Sequence, residues 1–222
     1  MAEKRARRRR APERTREAIL EAAREVLAKD GKEGLSVAQV AQLAGVNRGT
    51  AYQHFQTREQ LIEATVAWVS DQLFRAVFGD PEQAKDQPVE NINVEGVNDR
   101  LATFAMENPA LGRAWLRTVL GSKQPAKDPF WRQYRSNFER FANTELAQPG
   151  MDVEVLSVII LAGSFLWPVW ARAQARTAKD RQVMLERFTN EVLRLTLHGT
   201  LRPEKYPELE KRVTRKPSVK KR

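Results

Sequence analysis

The sequence has no cysteine and only two histidines, His54 and His198. Without cysteine there are no disulfides, no thiolate catalysis and few ways to build a zinc site, an economy that fits a reducing cytoplasm. No glycine pattern for cradling phosphate, no nucleophile motif and no clustered metal ligands occur, so the chain reads as a non-enzyme with neither cofactor nor metal. The basic N-terminus is not followed by an apolar segment, unlike a secretory signal. Charge is missing from one long stretch only, residues 155–171. Its length is at the lower edge of the ~17–25 residues that a membrane span needs. It also holds Gly163, Ser164 and Pro168, and we expect a helix buried between protein neighbours, with no membrane involved.

What the chain has in excess is positive charge, +10 overall, and it lies at the ends. Residues 1–16 carry eight Lys/Arg against two Glu, and residues 202–222 nine against three. The stretch between them is nearly neutral. Two basic tails on a neutral globule suggest an acidic polymer as partner, nucleic acid being the commonest. Four segments follow: a disordered basic arm (1–12), a small N-terminal domain (13–60), a larger helical domain (61–201) and a basic C-terminal tail (202–222).

The apolar spacing is helical throughout, so the fold class is all-α. Ile19, Ala22, Ala23, Val26 and Leu27 recur three and four apart until Asp30-Gly31. Ser36 with Gln39 makes a capping box, which starts a short helix with Val37, Val40 and Ala41 inward. Gly45 supplies the freedom for a sharp turn. Asn47 then suits the N-cap of a further short helix, accepting from the N–H of Gly49 or Thr50. In that helix Ala51 and Phe55 point inward together, leaving Arg48, Tyr52 and Gln53 outward. Two short helices about a glycine turn make a helix-turn-helix. Downstream, a helix is predicted over 59–78 with an inner stripe of Leu61, Ile62, Val66, Val69, Leu73 and Val77. Residues 79–93 read as a surface loop. Helices are then predicted through Leu101, Phe104 and Ala105 ending at Asn108-Pro109, a short one following to Leu120, from Asp128-Pro129 to about Leu146, from Asp152 across Pro168, and from Asp180 to His198.

Residues 15–61 resemble the DNA-binding domain of the tetracycline-repressor (TetR) family. Thr15, Ile19 and Ala22 carry the likeness in the first helix, Val40-Ala41 in the second and Gly45-Val46 in the turn. Gly49-Thr50, Tyr52, His54-Phe55, Thr57-Arg58-Glu59 and Leu61 complete it. Asn47 stands where the family usually has Ser, Ala51 where it has a bulkier apolar residue, and the aromatic favoured near Leu27 is missing. The resemblance implies a three-helix DNA-binding domain joined to a larger ligand-binding and dimerisation domain. It also implies a repressor, released from a palindromic operator by a small apolar or aromatic effector. The 59–78 helix would connect the two domains, and helices over 152–177 and 180–198 would pair with their copies in a homodimer.

In such a head Arg48 can bond bidentately to guanine O6 and N7, and Gln53 or Asn47 can pair with adenine. Thr50 offers a methyl to thymine or a hydroxyl to phosphate, with Gly49 beside it. By the resemblance, Tyr52 and His54 contact the DNA backbone. Ser36 and the backbone N–H groups that follow it from Val37 onward suit another phosphate. Arg7, Arg8, Arg9 and Arg10 can lie along phosphates or enter a minor groove. The alternative is an architectural or weakly specific DNA-binding protein driven by its tails. In the body, the rings of Phe104, Trp115, Trp131, Tyr134, Phe138, Phe165 and Trp167 suit the lining of an effector cavity and a solid core equally.

Overall fold

The computed structural model describes residues 2–198 and Glu204, with side chains from Pro12 onward except those of Lys85, Asp86 and Glu90. The basic tail therefore lies outside the described residues, Glu204 apart. Ten α-helices follow one another, with no strand among the described residues: α1 (Ala2–Asp30), α2 (Val37–Leu43), α3 (Arg48–His54), α4 (Arg58–Phe78), α5 (Pro81–Asp86), α6 (Val94–Glu107), α7 (Pro109–Leu120), α8 (Pro129–Ala142), α9 (Val153–Gln174) and α10 (Ala178–His198).

Local chemistry sets most of these ends. Ser36 Oγ accepts from Gln39 N, Thr57 Oγ1 from Gln60 N and Asp128 Oδ1 from Trp131 N, each side chain satisfying a helix N–H that has no partner within the helix. Gly31 and Gly79 take positive φ where α1 and α4 stop.

Four expectations are corrected. The arm 1–12 was expected to be disordered, yet α1 begins at Ala2 and runs through Pro12. Apart from Pro12, residues 2–12 are Ala, Arg, Lys and Glu, all strong helix formers. They also extend a helix whose nucleus is already fixed by the buried Ile19 to Leu27 face, so each added residue except Pro12 meets only the cost of propagation. Residues 79–93 are not all loop: Asp80 accepts from Glu82 N and Pro81 occupies the first turn, making the short α5, and a 3-10 turn spans Val89–Asn91. The last helix starts at Ala178 because Thr177 and Asp180 form a reciprocal box, Asp180 N donating to Thr177 Oγ1 and Thr177 N to Asp180 Oδ2. Finally, α8 stops at Ala142; the Leu146 side chain is exposed, and its N–H donates to Thr144 Oγ1 (3.3 Å) in a turn beyond the helix.

One hydrophobic core joins all of this, running without a break from Ile19 and Leu27 through Leu61, Leu73 and Val77 to Trp115, Phe130 and Phe165. The helix α4 threads both ends of it. Leu61 is sealed among the N-terminal helices, and Val77 among α6, α7 and α8. In addition α1 rests directly on α7. On α4 the inner face also takes Thr65, Ser70 and Phe74, while Ile62 and Val66 are only partly covered. The helix α9 is long and apolar enough to cross a membrane by composition. Its inner face, Ser157, Leu161, Ser164, Phe165, Pro168 and Ala171, is buried against the body instead. Only its outer face is bare.

Candidate DNA-binding interface

The head is a three-helix unit in which α2 and α3 meet at a tight turn. Ala41 is buried and small, so the helices approach closely, and Val46 N donates to Ala41 O (2.9 Å) to close the turn. Gly45 adopts φ +64°, the left-handed region open to glycine. Asn47 Oδ1 then accepts from Gly49 N at 2.8 Å and starts α3.

Two residues anchor α3 from below. Ala51 and Phe55 are fully covered, and the Arg16 guanidinium of α1 sits 5.3 Å from the Phe55 ring centre. The opposite side of α3 is free. Asn47, Arg48, Gly49, Tyr52 and Gln53 are exposed, and Thr50 and His54 half-buried. The two helices carry no acidic residue, so an anionic polymer meets no repulsion along them. Between them lies an open concavity of about 540 Å³ lined by Ser36, Gln39, Gln42, Val46 and Arg48, among others.

The Val37 side chain is sealed in the core, so Val37 can offer DNA only its backbone N–H. Ser36 keeps part of its surface; its oxygen accepts from Gln39 N, leaving the hydroxyl hydrogen to donate outward. Arg7, Arg8, Arg9 and Arg10 lie on the first turns of α1, and their side chains fall outside the described ones.

The sequence reading missed two features. Gln39 and Gln42, three apart on α2, line the concavity beside Arg48; their polar spacing on an otherwise apolar helix was the available signal. Arg58 is the other. Its Nε donates to Leu35 O at 2.8 Å, and its Nη2 to Lys32 O at 2.8 Å and Glu33 O at 3.2 Å. No local pattern announces contacts across so long a separation.

In the body the aromatic residues are packed on one another. Trp115, Phe130 and Phe165 are fully buried, with Trp115 5.4 Å from Phe130 and 5.5 Å from Phe165 between ring centres. Tyr134 stacks on Phe130 and meets Phe138 edge-on. Burial pushes the Tyr134 hydroxyl far above its ordinary range. Trp131 is buried too, Phe104 is partly covered, and Trp167 stacks on Phe188 across α9 and α10. At Gly112 a methyl group would overlap the Phe165 ring, so α7 and α9 touch there through backbone and ring.

A polar junction sits among these rings. Asp128 accepts from Ser70 Oγ of α4 (2.8 Å) and from Trp115 Nε1 of α7 (3.1 Å) while capping α8. Burial pushes its carboxyl up, and these donors hold the rise in check. Trp131 Nε1 is buried and has no acceptor. Two open concavities lie on the head and at Trp167, Arg187, Phe188, Asn190, Glu191 and Arg194, the second of about 510 Å³. Among the described residues no group of three or more His, Asp or Glu can hold a metal ion.

An acid-free helix, capped, bolted to a core from below and bare above, defines a helix-turn-helix DNA-binding protein. Residues 19–65 match the family model for bacterial regulatory proteins of the tetR family. The head is thus similar to the DNA-binding domain of that family's regulators over those residues. No curated protein matches it in sequence. Solved structures share the fold. AibR in complex with isovaleryl coenzyme A and operator DNA is 17% identical with a TM-score of 0.57, over 80% of this chain and 97% of that one. A tetR-family regulatory protein from Rhodococcus RHA1 is 18% identical with a TM-score of 0.56, over 82% and 96%. The ketosteroid regulator KstR2 of Mycobacterium tuberculosis is 16% identical with a TM-score of 0.54, over 84% and 95%.

Proposed function

We propose that this chain is a homodimeric repressor that reads a palindromic operator with α3 and leaves it when a small apolar or aromatic effector enters the body. The observation that carries the reading is the exposed, acid-free face of α3, with Arg48 and Gln53 bare and Ala51 and Phe55 locked below. Arg48 reads guanine, Gln53 or Asn47 reads adenine, and Ser36, Thr50, Tyr52 and His54 hold phosphates. Gly49 lets the α3 backbone approach, the Val37 N–H assists Ser36, and Arg7 to Arg10 add sequence-independent attraction.

The dimer forms through α9 and α10. Val155, Ile159, Leu166, Val169 and Trp170 make one exposed apolar face on α9, and Val183 and Leu197 continue it on α10. A two-fold axis there presents two reading helices to successive turns of one DNA face, ~34–36 Å apart.

The effector acts on α4. AibR was solved with both an acyl coenzyme A and operator DNA, and KstR2 is a ketosteroid transcriptional regulator; these neighbours support a ligand reading. In this chain the rings of Trp115, Tyr134, Phe138 and Phe165 fill the space, so a ligand has to part α8 from α9, beside Phe104 and Trp167. Trp131 supplies a polar anchor, since an acceptor placed at its buried indole N–H gains a hydrogen bond that the packed body does not provide. Parting the body displaces Asp128 and thereby Ser70 on α4, which shifts the population of head spacings. The site of action is the cytoplasm.

The test is selection of genomic fragments by the full chain at ~150 mM salt, where sequence-independent phosphate binding is weakened. Enrichment of one palindromic duplex supports the reading, and uniform recovery of all fragments overturns it in favour of tail-driven, unspecific binding. With the enriched duplex in hand, Arg48→Ala is expected to weaken binding by about 1–3 kcal/mol and relax the preference at one base pair. Equal loss on every sequence, measured by titration against single-base variants, removes Arg48 as a base reader.

A further inference from the structure

We infer that Arg58 is a positioning residue of the DNA head: it ties the α1–α2 connection to the first turn of α4, so that α2 and α3 move with α4 as one piece. This deepens the reading above and rests on it.

The observation is a guanidinium set against three carbonyls. Lys32 O, Glu33 O and Leu35 O all face Arg58, at 2.8, 3.2 and 2.8 Å. These oxygens belong to a 3-10 turn, Lys32–Gly34, and the residue after it. Lys32 O also accepts from Leu35 N within the turn (3.3 Å), and one delocalised cation bonds it together with the Glu33 and Leu35 carbonyls. Nε and Nη2 are committed to the turn, and Nη1 stands 4.0 Å from Glu59 Oε1. The fork is therefore spent on the protein, although the side chain is still 42% exposed and lies on the head.

The position of this tie gives it a role. Leu35 is fixed from inside by burial, and its carbonyl is held by Arg58 from outside. The next residue is Ser36, the cap of α2, and α2 is locked to α3 through Ala41 and Val46. Arg58 itself is the first residue of α4, the helix that reaches Ser70 and the Asp128 junction of the body. A displacement of α4 thus pulls on the α2 end of the reading unit by charge-assisted bonds, as well as on its core face through Leu61. A lysine keeps the charge but not the fork: its three donors leave one nitrogen, whereas the bonds here leave two, Nε and Nη2.

The test compares Arg58→Lys and Arg58→Met in the full chain, using the duplex enriched by genomic selection and a mixed-sequence duplex of the same length. Expected for Arg58→Lys is a loss of about tenfold or more on the enriched duplex, close to that of Arg58→Met, because both lose the fork. Amide hydrogen exchange is expected to quicken at residues 35–40 and to stay unchanged at Val26 and Leu27 in the α1 core. Two results overturn the inference. Wild-type affinity in Arg58→Lys beside a weak Arg58→Met makes Arg58 a direct phosphate contact. Faster exchange through the whole head makes it a general stabiliser. If the unsubstituted protein enriches no duplex, the repressor reading has failed, and the exchange comparison alone decides whether Arg58 holds residues 35–40 in place.

Discussion

Replacing Ile159 and Leu166 together by glutamate is expected to leave a folded monomer that binds the enriched palindrome about 10²–10⁴-fold more weakly. Both side chains are bare, at 60% and 55% exposure, and they lie on the same side of α9 as Val155, Val169 and Trp170. Their inner neighbours Leu161 and Phe165 are fully covered and untouched by the change. The substitutions therefore remove nothing from the core. In a two-fold interface each glutamate meets its own copy's surroundings, so the change places four carboxylates in one apolar patch, where an unpaired charge is costly. The affinity loss follows from losing the second reading helix. While two heads share one body pair, the second binds at a high effective concentration; a lone head does not. Light scattering gives the mass, circular dichroism the helix content, and titration the affinity. A double variant that remains dimeric with unchanged binding places the interface elsewhere.

The second large effect is at Trp115. Trp115→Ala is expected to destabilise the fold by about 3–5 kcal/mol, the usual cost of removing a large buried aromatic. The indole touches Phe130 and Phe165 and donates to Asp128, so the variant opens a cavity and removes a donor at once. Trp115→Phe separates the two, keeping most of the volume and costing about 1–3 kcal/mol for the lost bond to a mostly buried carboxylate. It also changes the pH response. Burial holds the folded Asp128 carboxyl above its ordinary value, so this group's contribution favours folding at low pH and is lost as pH rises through the folded value. Removing the Trp115 donor lifts that value further. The decline for Trp115→Phe should therefore extend to higher pH than in the unsubstituted protein, as read from urea midpoints across a pH series. Parallel curves for the two proteins would separate Trp115 from the Asp128 titration.

The head was legible because its determinants are local. Ser36 with Gln39, Gly45, Asn47 and the Thr57 cap act over at most a few residues, and the structure keeps each of them. Asp80-Pro81 shows how local chemistry is misread. The same dipeptide at Asp128-Pro129 reads as a helix start, a cap then Pro in the first turn, and an aromatic stripe follows it. After Pro81 the apolar signal is a single buried Ala84, too little periodicity to set the segment apart from a surface loop. The ring cluster was illegible in a deeper sense. Tryptophan and phenylalanine line cavities and fill cores alike, and what decides between these is the close approach of Gly112 to Phe165, two residues far apart in sequence. Ser70 and Arg58 fall in the same class. Each looks like an ordinary polar position on α4, and each finds its partner only when the chain closes, Ser70 at Asp128 and Arg58 at the 32–35 turn.

The unbroken core bears on how this molecule comes apart. A head hung on a flexible linker would melt by itself, well before the body. Here α1 lies on α7, and α4 contributes Leu61 to one end of the apolar interior and Val77 to the other. Opening either half exposes the flank of the other, which couples their melting. Calorimetry of the full chain should then give one cooperative transition, with the calorimetric and van't Hoff enthalpies equal per cooperative unit. A fragment cut at residue 60 loses nearly all of α4 along with the α7 surface, leaving the buried flank of α1 facing water.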